Sequence, residues 1–174
     1  MAIILDGSNA STVGLLNAKT AQNSTSGTAI DFTGIPANAK RITVLFNGVS
    51  TSGTSPIVVQ LGTSGGFVTS GYAGSSANQN GSGNAYGSTS AGLGVDTPSA
   101  GSLGSTVTRV GVLQAMNVSG NSWVSSSIIA YSNTANGQYS ASSVSLSGVL
   151  DRVRITTAGG TDTFDAGSVN VLYE

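Results

Sequence analysis

Histidine and cysteine are absent from this 174-residue chain, and formal charge is confined to six basic and seven acidic side chains. Without histidine there is no Ser-His-Asp arrangement. Without cysteine there is no thiolate nucleophile, disulfide framework or thiolate metal site. A Ser–Lys pair would have to use Lys19 or Lys40, and neither lies in a recognisable motif. The few cations are not clustered as phosphate binding requires, so nucleic acid is not an expected partner. No stretch approaches the roughly 20 apolar residues of a membrane span, and the opening Met1-Ala2-Ile3-Ile4-Leu5-Asp6 lacks the basic start of a signal peptide.

Glycine, serine, threonine, asparagine and alanine fill the chain instead, threaded with short aliphatic runs. Ile, Leu, Val and Phe total 41 residues, enough with a net charge of −1 to set the chain apart from disordered sequences. Valine, isoleucine and threonine number 45, against 25 for Leu, Met, Gln, Glu, Lys and Arg together. β-Branched side chains suit a pleated surface and lose rotamer freedom in a helix, and the 25 glycines weaken helix interiors further. The composition predicts an all-β chain.

Strand candidates are Ala2–Leu5, Thr12–Leu16, Thr28–Phe32, Lys40–Asn47, Pro56–Gly62, Gly66–Ala73, Ala91–Val95, Thr106–Met116, Ser122–Ser132, Tyr139–Leu146, Asp151–Thr157 and Ser168–Tyr173. Turn signals lie between them at Asn117–Asn121, Asn136-Gly137 and Ala158–Asp162. About eight to ten short strands drawn from these twelve candidates, at this spacing, predict one antiparallel β-sandwich, jelly-roll-like, over residues 1–174. It carries an N-terminal arm (1–27) and a Gly/Ser-rich loop region (74–104). A loop of that length inside a compact domain points to function or to a neighbour's surface.

Paired carboxylates drawn from Asp31, Asp96, Asp151, Asp162 and Asp165 could in principle cut a polysaccharide, but aspartates beside glycine and threonine are ordinary turn residues. No metal or cofactor is expected: Asp162 and Asp165 lack the ligand spacing of a calcium loop, and no glycine-rich run opens a phosphate-binding helix. Trp123 reads as a core anchor. The tyrosines are the best binding candidates, with Tyr86 and Tyr72 as contacts for a partner or a glycan. Tyr86 lies in the glycine-rich middle with no strand pattern around it and is expected to be exposed.

Ile30-Asp31-Phe32-Thr33-Gly34-Ile35-Pro36 and Lys40-Arg41-Ile42-Thr43-Val44-Leu45-Phe46 resemble a motif of small structural proteins of tailed bacteriophages. Leu150–Ile155 continuing through Gly159–Tyr173 is similar to the closing hairpin of that group, and Met1–Gly7 to its N-termini. The resemblance implies a non-enzymatic β-sandwich on the exterior of a phage particle, either a capsid-decoration protein or a tail-fibre or tail-associated component. Its partners would be other virion proteins and copies of itself, and the trimer number rests on the resemblance alone. Self-association is also expected physically, because glycine-rich strands with small side chains gain from burying edges and faces, and few charges oppose it. The alternative is a receptor-recognition module holding a host-surface glycan through the 74–104 loops.

Overall fold

The computed structural model describes residues 16–80, 83–98 and 103–174; the strand expected over Ala2–Leu5, and all but Leu16 of Thr12–Leu16, lie outside them. The described residues form an antiparallel β-sandwich without helix. In chain order the strands are β1 (Asn17–Ala18), β2 (Gln22–Asn23), β3 (Ala29–Thr33), β4 (Arg41–Thr51), β5 (Ile57–Thr63), β6 (Gly66–Phe67) and β7 (Ala73–Asn80). They continue with β8 (Gly83–Gly87), β9 (Leu93–Gly94), β10 (Arg109–Ser119), β11 (Ser122–Tyr131), β12 (Asn136–Ser145), β13 (Arg152–Thr157) and β14 (Phe164–Tyr173). One sheet has nine strands in the order β1-β14-β4-β10-β11-β12-β7-β8, with β2 also on β14; the other has five, β3-β13-β5-β6, with β9 also on β5.

Side-chain alternation decides which face of each strand is buried. Along β11, Trp123, Ser125, Ser127, Ile129 and Tyr131 turn inward while Val124, Ser126, Ile128 and Ala130 turn outward. The apolar half of the interior sets Ile42, Val44 and Phe46 of β4, Val169 and Val171 of β14, and Leu113 of β10 against Ile57, Val59 and Leu61 of β5 and Val153 and Ile155 of β13. Each such side chain contributes about 1.5–3 kcal/mol on leaving water. Trp123 belongs to this cluster, as its isolation in the sequence implied.

The other half of the interior is polar. Under β11, β12 and β7 the inward positions include Ser127, Ser140, Ser76, Asn78 and Gln138, all buried. What covers them is the chain between β8 and β10, held by hydrogen bonds rather than by apolar contact. Ser127 and Ser140 donate to the carbonyl of Gly94 at 3.1 and 2.6 Å, and Gln138 Oε1 accepts from the Thr97 N–H at 3.0 Å. The Gln60 amide donates to the Ala91 carbonyl at 2.9 Å. The described part of residues 74–104 is therefore not one loop. It contributes β7, the edge strand β8, and a tethered crossing to the second sheet that carries β9. Small side chains hid this, because glycine and serine carry little strand propensity yet allow close approach. A Cβ at Gly111, whose φ is +146°, would run into the Ile128 carbonyl, and one at Gly74 would meet Ala141.

Two turns differ from expectation. Asn136-Gly137 opens β12, and the reversal lies at residues 132–135, where Asn133 Oδ1 accepts from the Thr108 N–H. Residues 158–162 do not close a hairpin: β13 belongs to the five-stranded sheet and β14 to the nine-stranded one, so they pass the chain from one layer to the other. The described part of the 1–27 arm adds two two-residue strands to the large sheet, since β1 and β2 both pair with β14. The expected Gly66–Ala73 strand is confined to Gly66–Phe67 before the chain turns toward β7.

Tyr72 is buried in the core, where its hydroxyl accepts from the Leu61 N–H at 2.8 Å and donates to the Val68 carbonyl at 3.0 Å. It is therefore a core residue and not a surface contact. Burial pushes its pKa up to about 12, against the lowering effect of the Leu61 hydrogen bond. A phenol whose folded pKa is raised favours folding fully below its unfolded value near 10, and that contribution fades as pH climbs toward 12. We expect unfolding free energy to fall by roughly 2–3 kcal/mol between pH 9 and pH 12 from this group. Denaturant titrations across that range check it. Tyr72→Phe should flatten the slope while lowering stability at neutral pH, because the Leu61 N–H loses its partner.

Candidate functional site

The carboxylates are the first place to look for chemistry, and each described aspartate is engaged in holding the fold. Asp31 takes a two-pronged bond from Arg154, at 2.7 and 2.8 Å, across neighbouring strands. Asp151 is bonded by Arg152 at 2.7 and 3.2 Å, and the Arg152 hydrogen bond holds its carboxyl below the usual range. Asp162 accepts from the Ser55 N–H at 2.8 Å, and Asp165 accepts from the Ser50 hydroxyl.

Asp96 is fully buried and sits at the junction of both layers. It accepts from Arg109 Nε at 2.8 and 2.9 Å, from the Ile57 N–H at 2.8 Å and from the Tyr131 hydroxyl at 3.2 Å. Arg109, also fully buried, donates to the Val107 carbonyl at 3.0 Å and lies 5.4 Å from the Tyr131 ring centre. Burial, and then the Asp96 charge, drive the Tyr131 phenol far above its ordinary pKa. The cluster is closed to solvent, and its geometry is that of a clamp between strands.

The solvent faces of the two sheets differ sharply. On the five-stranded sheet, Asp31, Arg154 and Gln60 stand in register, and the Arg154 guanidinium lies 4.1 Å from the centre of the Phe67 ring. That face is charged. On the nine-stranded sheet the pairing aligns Leu45, Val112, Ile128, Tyr139, Ala77 and Tyr86 in one row across β4, β10, β11, β12, β7 and β8. Ile128 is 77% exposed, Tyr86 67% and Tyr139 52%, while Ala77 between the tyrosines is covered. The flanking rows are also neutral: Thr43, Gln114, Ser126, Ala141 and Ser75 on one side, and Asn47, Val110, Ala130, Gly137, Gln79 and Asn84 on the other. Beyond them Met116 and Val124 are exposed as well, and charge reappears on that margin at Lys40 and at Arg41, which pairs with Glu174.

This neutrality is written into the sequence, since no charged residue occurs between Arg41 and Asp96 or between Arg109 and Asp151. Soluble sheets ordinarily turn a mixed charged surface to water, and a broad neutral face with exposed aromatic and branched aliphatic side chains marks a contact surface. Tyr86 is exposed as expected and belongs to the face; Tyr72 does not. Ile128 and Tyr139 carry the centre of the row; Tyr139 is one tyrosine among five, and nothing in the sequence singles out Ile128. Their importance comes from cross-strand register, which a linear reading does not contain. Comparison with protein-family models, curated proteins and solved structures finds no match for this chain.

Removing the cation from the buried clamp should be costly, because it leaves the Asp96 carboxylate unpaired away from water. Arg109→Met is expected to lower the unfolding free energy by about 3–5 kcal/mol. Pairing it with Asp96→Asn, which keeps the acceptor for the Ile57 N–H, should cost less than Arg109→Met alone. Equilibrium denaturation of the two variants checks the order.

Proposed function

We propose that this protein is a non-enzymatic structural component that works by packing against copies of itself and against neighbouring proteins. The setting that its sequence resemblance favours is the exterior of a tailed-phage particle, as a capsid-decoration or tail-associated protein. The observation that carries the reading is the neutral outer face of β4, β10, β11, β12, β7 and β8. Two further features support it. The described aspartates are engaged in ion pairs and hydrogen bonds within the fold. The Gly/Ser-rich stretches of β7 and β8 also build sheet surface, which suits packing better than capture of a host molecule.

Recognition of a host-surface glycan is the second reading, and one feature favours it. Tyr139 and Tyr86 flank the small Ala77 on one face, with Gln79 and Asn84 in the next row. Two aromatic walls over a small floor, bordered by amide hydrogen-bonding groups, can take a sugar ring.

Sedimentation velocity on the full chain separates these readings. Packing predicts species heavier than the 17.1 kDa protomer at micromolar concentration. Ile128→Lys should shift them toward monomer while leaving the unfolding free energy of the protomer within about 0.5 kcal/mol of wild type, because that side chain is solvent-facing in the protomer. A chain that stays monomeric with or without the lysine contradicts the packing reading.

A further inference from the structure

Sheet edges offer unpaired backbone groups, and natural sheets blunt them with charge, proline, bulges or very short strands. Three of the four edges among the described strands are managed in this way. β1 and β6 are two residues long. β3 carries the ion-paired Asp31, and the Gln22 amide takes the Asp31 carbonyl at 2.8 Å. β8 is different: Gly83-Asn84-Ala85-Tyr86-Gly87 is five residues long, pairs only with β7 and has no charge or proline. Alternate residues of an edge strand turn their N–H and C=O groups away from the sheet, so this strand presents an open ladder.

We infer that β8 pairs antiparallel with β8 of a second copy of this chain, in the register that sets Ala85 opposite Ala85 of the partner subunit. The strand fits itself. About that centre, glycine meets glycine at both ends, and Asn84 meets the tyrosine at 86 on each side. No like charges are brought together, since the chain carries none from residue 42 to residue 95. The exposed row on the nine-stranded sheet then runs on past Tyr86 into the partner's face instead of stopping at an edge. An antiparallel pairing of identical strands closes on itself, so the assembly contains an even number of chains. That departs from the trimer number implied by the phage resemblance. The inference rests on the packing function proposed above and adds where two copies meet.

The natural lack of cysteine makes the test direct. Ala85→Cys in the full chain places two thiols across the two-fold, with Cα atoms about 4.5–5.5 Å apart, within disulfide reach. Asn84→Cys sets its thiols two residues out of register, beyond about 7 Å, where no bridge forms. Under mild oxidation at micromolar concentration, the expected result is a covalent dimer as the main species for Ala85→Cys and monomer for Asn84→Cys on a denaturing gel. A lack of dimer with Ala85→Cys, or equal yields from the two variants, overturns the pairing. Oligomers of the wild-type chain together with an uncrosslinked Ala85→Cys would reject this edge while leaving the packing function standing.

Discussion

The Asp96–Arg109 ion pair is the contact on which the arrangement of the two layers depends. Asp96 ties the crossing after β8 to the Ile57 N–H on β5 and to Arg109 and Tyr131 on β10 and β11. That crossing in turn covers the polar half of the interior, where serines bind the Gly94 carbonyl. Buried ion pairs add little net stability against an apolar replacement of the same shape, but they fix geometry because an unpaired buried charge is so costly. Here the geometry fixed is the placement of the glycine-rich segment, and with it the anchoring of the β7–β8 end of the large sheet.

A sandwich with a polar half-interior has a consequence for its surface. Serine, asparagine and glycine inside leave fewer apolar groups to stabilise an isolated protomer, while neutral residues outside reduce the cost of covering the face with another protein. Outside the buried Asp96–Arg109 pair, the charged groups of the described residues lie on the five-stranded sheet, near the Arg41–Glu174 pair, and on or beside β14 at Asp162, Asp165 and Lys19. All of these are away from β10, β11, β12, β7 and β8 on the outer face. One molecule thus has a side that favours water and a side that tolerates contact. This asymmetry, rather than any pocket, is what argues for a packing role.

The all-β class and most of the long strands were legible in the sequence, because buried apolar residues recur at every second position, as at Ile42, Val44 and Phe46 on β4 and Val169 and Val171 on β14, and β11 alternates throughout. The inward Val153 and Ile155 with outward arginines on β13 were equally plain. Residues 73–87 were not legible. Their side chains are too small to show a hydrophobic period, and what makes them strands is the pairing of β7 to β12 and of β8 to β7, a tertiary fact. The sheet change between β13 and β14 was hidden for a related reason: a glycine-rich turn signal marks a reversal without saying which layer receives the next strand. Of the tyrosines proposed as contacts, Tyr86 kept its exposure because β8 is an edge, whereas Tyr72 was drawn inward by the Leu61 and Val68 backbone groups.

The central claim is that the neutral face of the large sheet is covered when the protein works. Hydroxyl-radical footprinting of Tyr86 and Tyr139 over a range of protein concentrations tests this most directly, because both rings are open to solvent in the single protomer. Labelling of both should fall as concentration rises through the micromolar range, while Tyr72 and Tyr131 stay unlabelled throughout. Equal labelling of Tyr86 and Tyr139 at every concentration would contradict it.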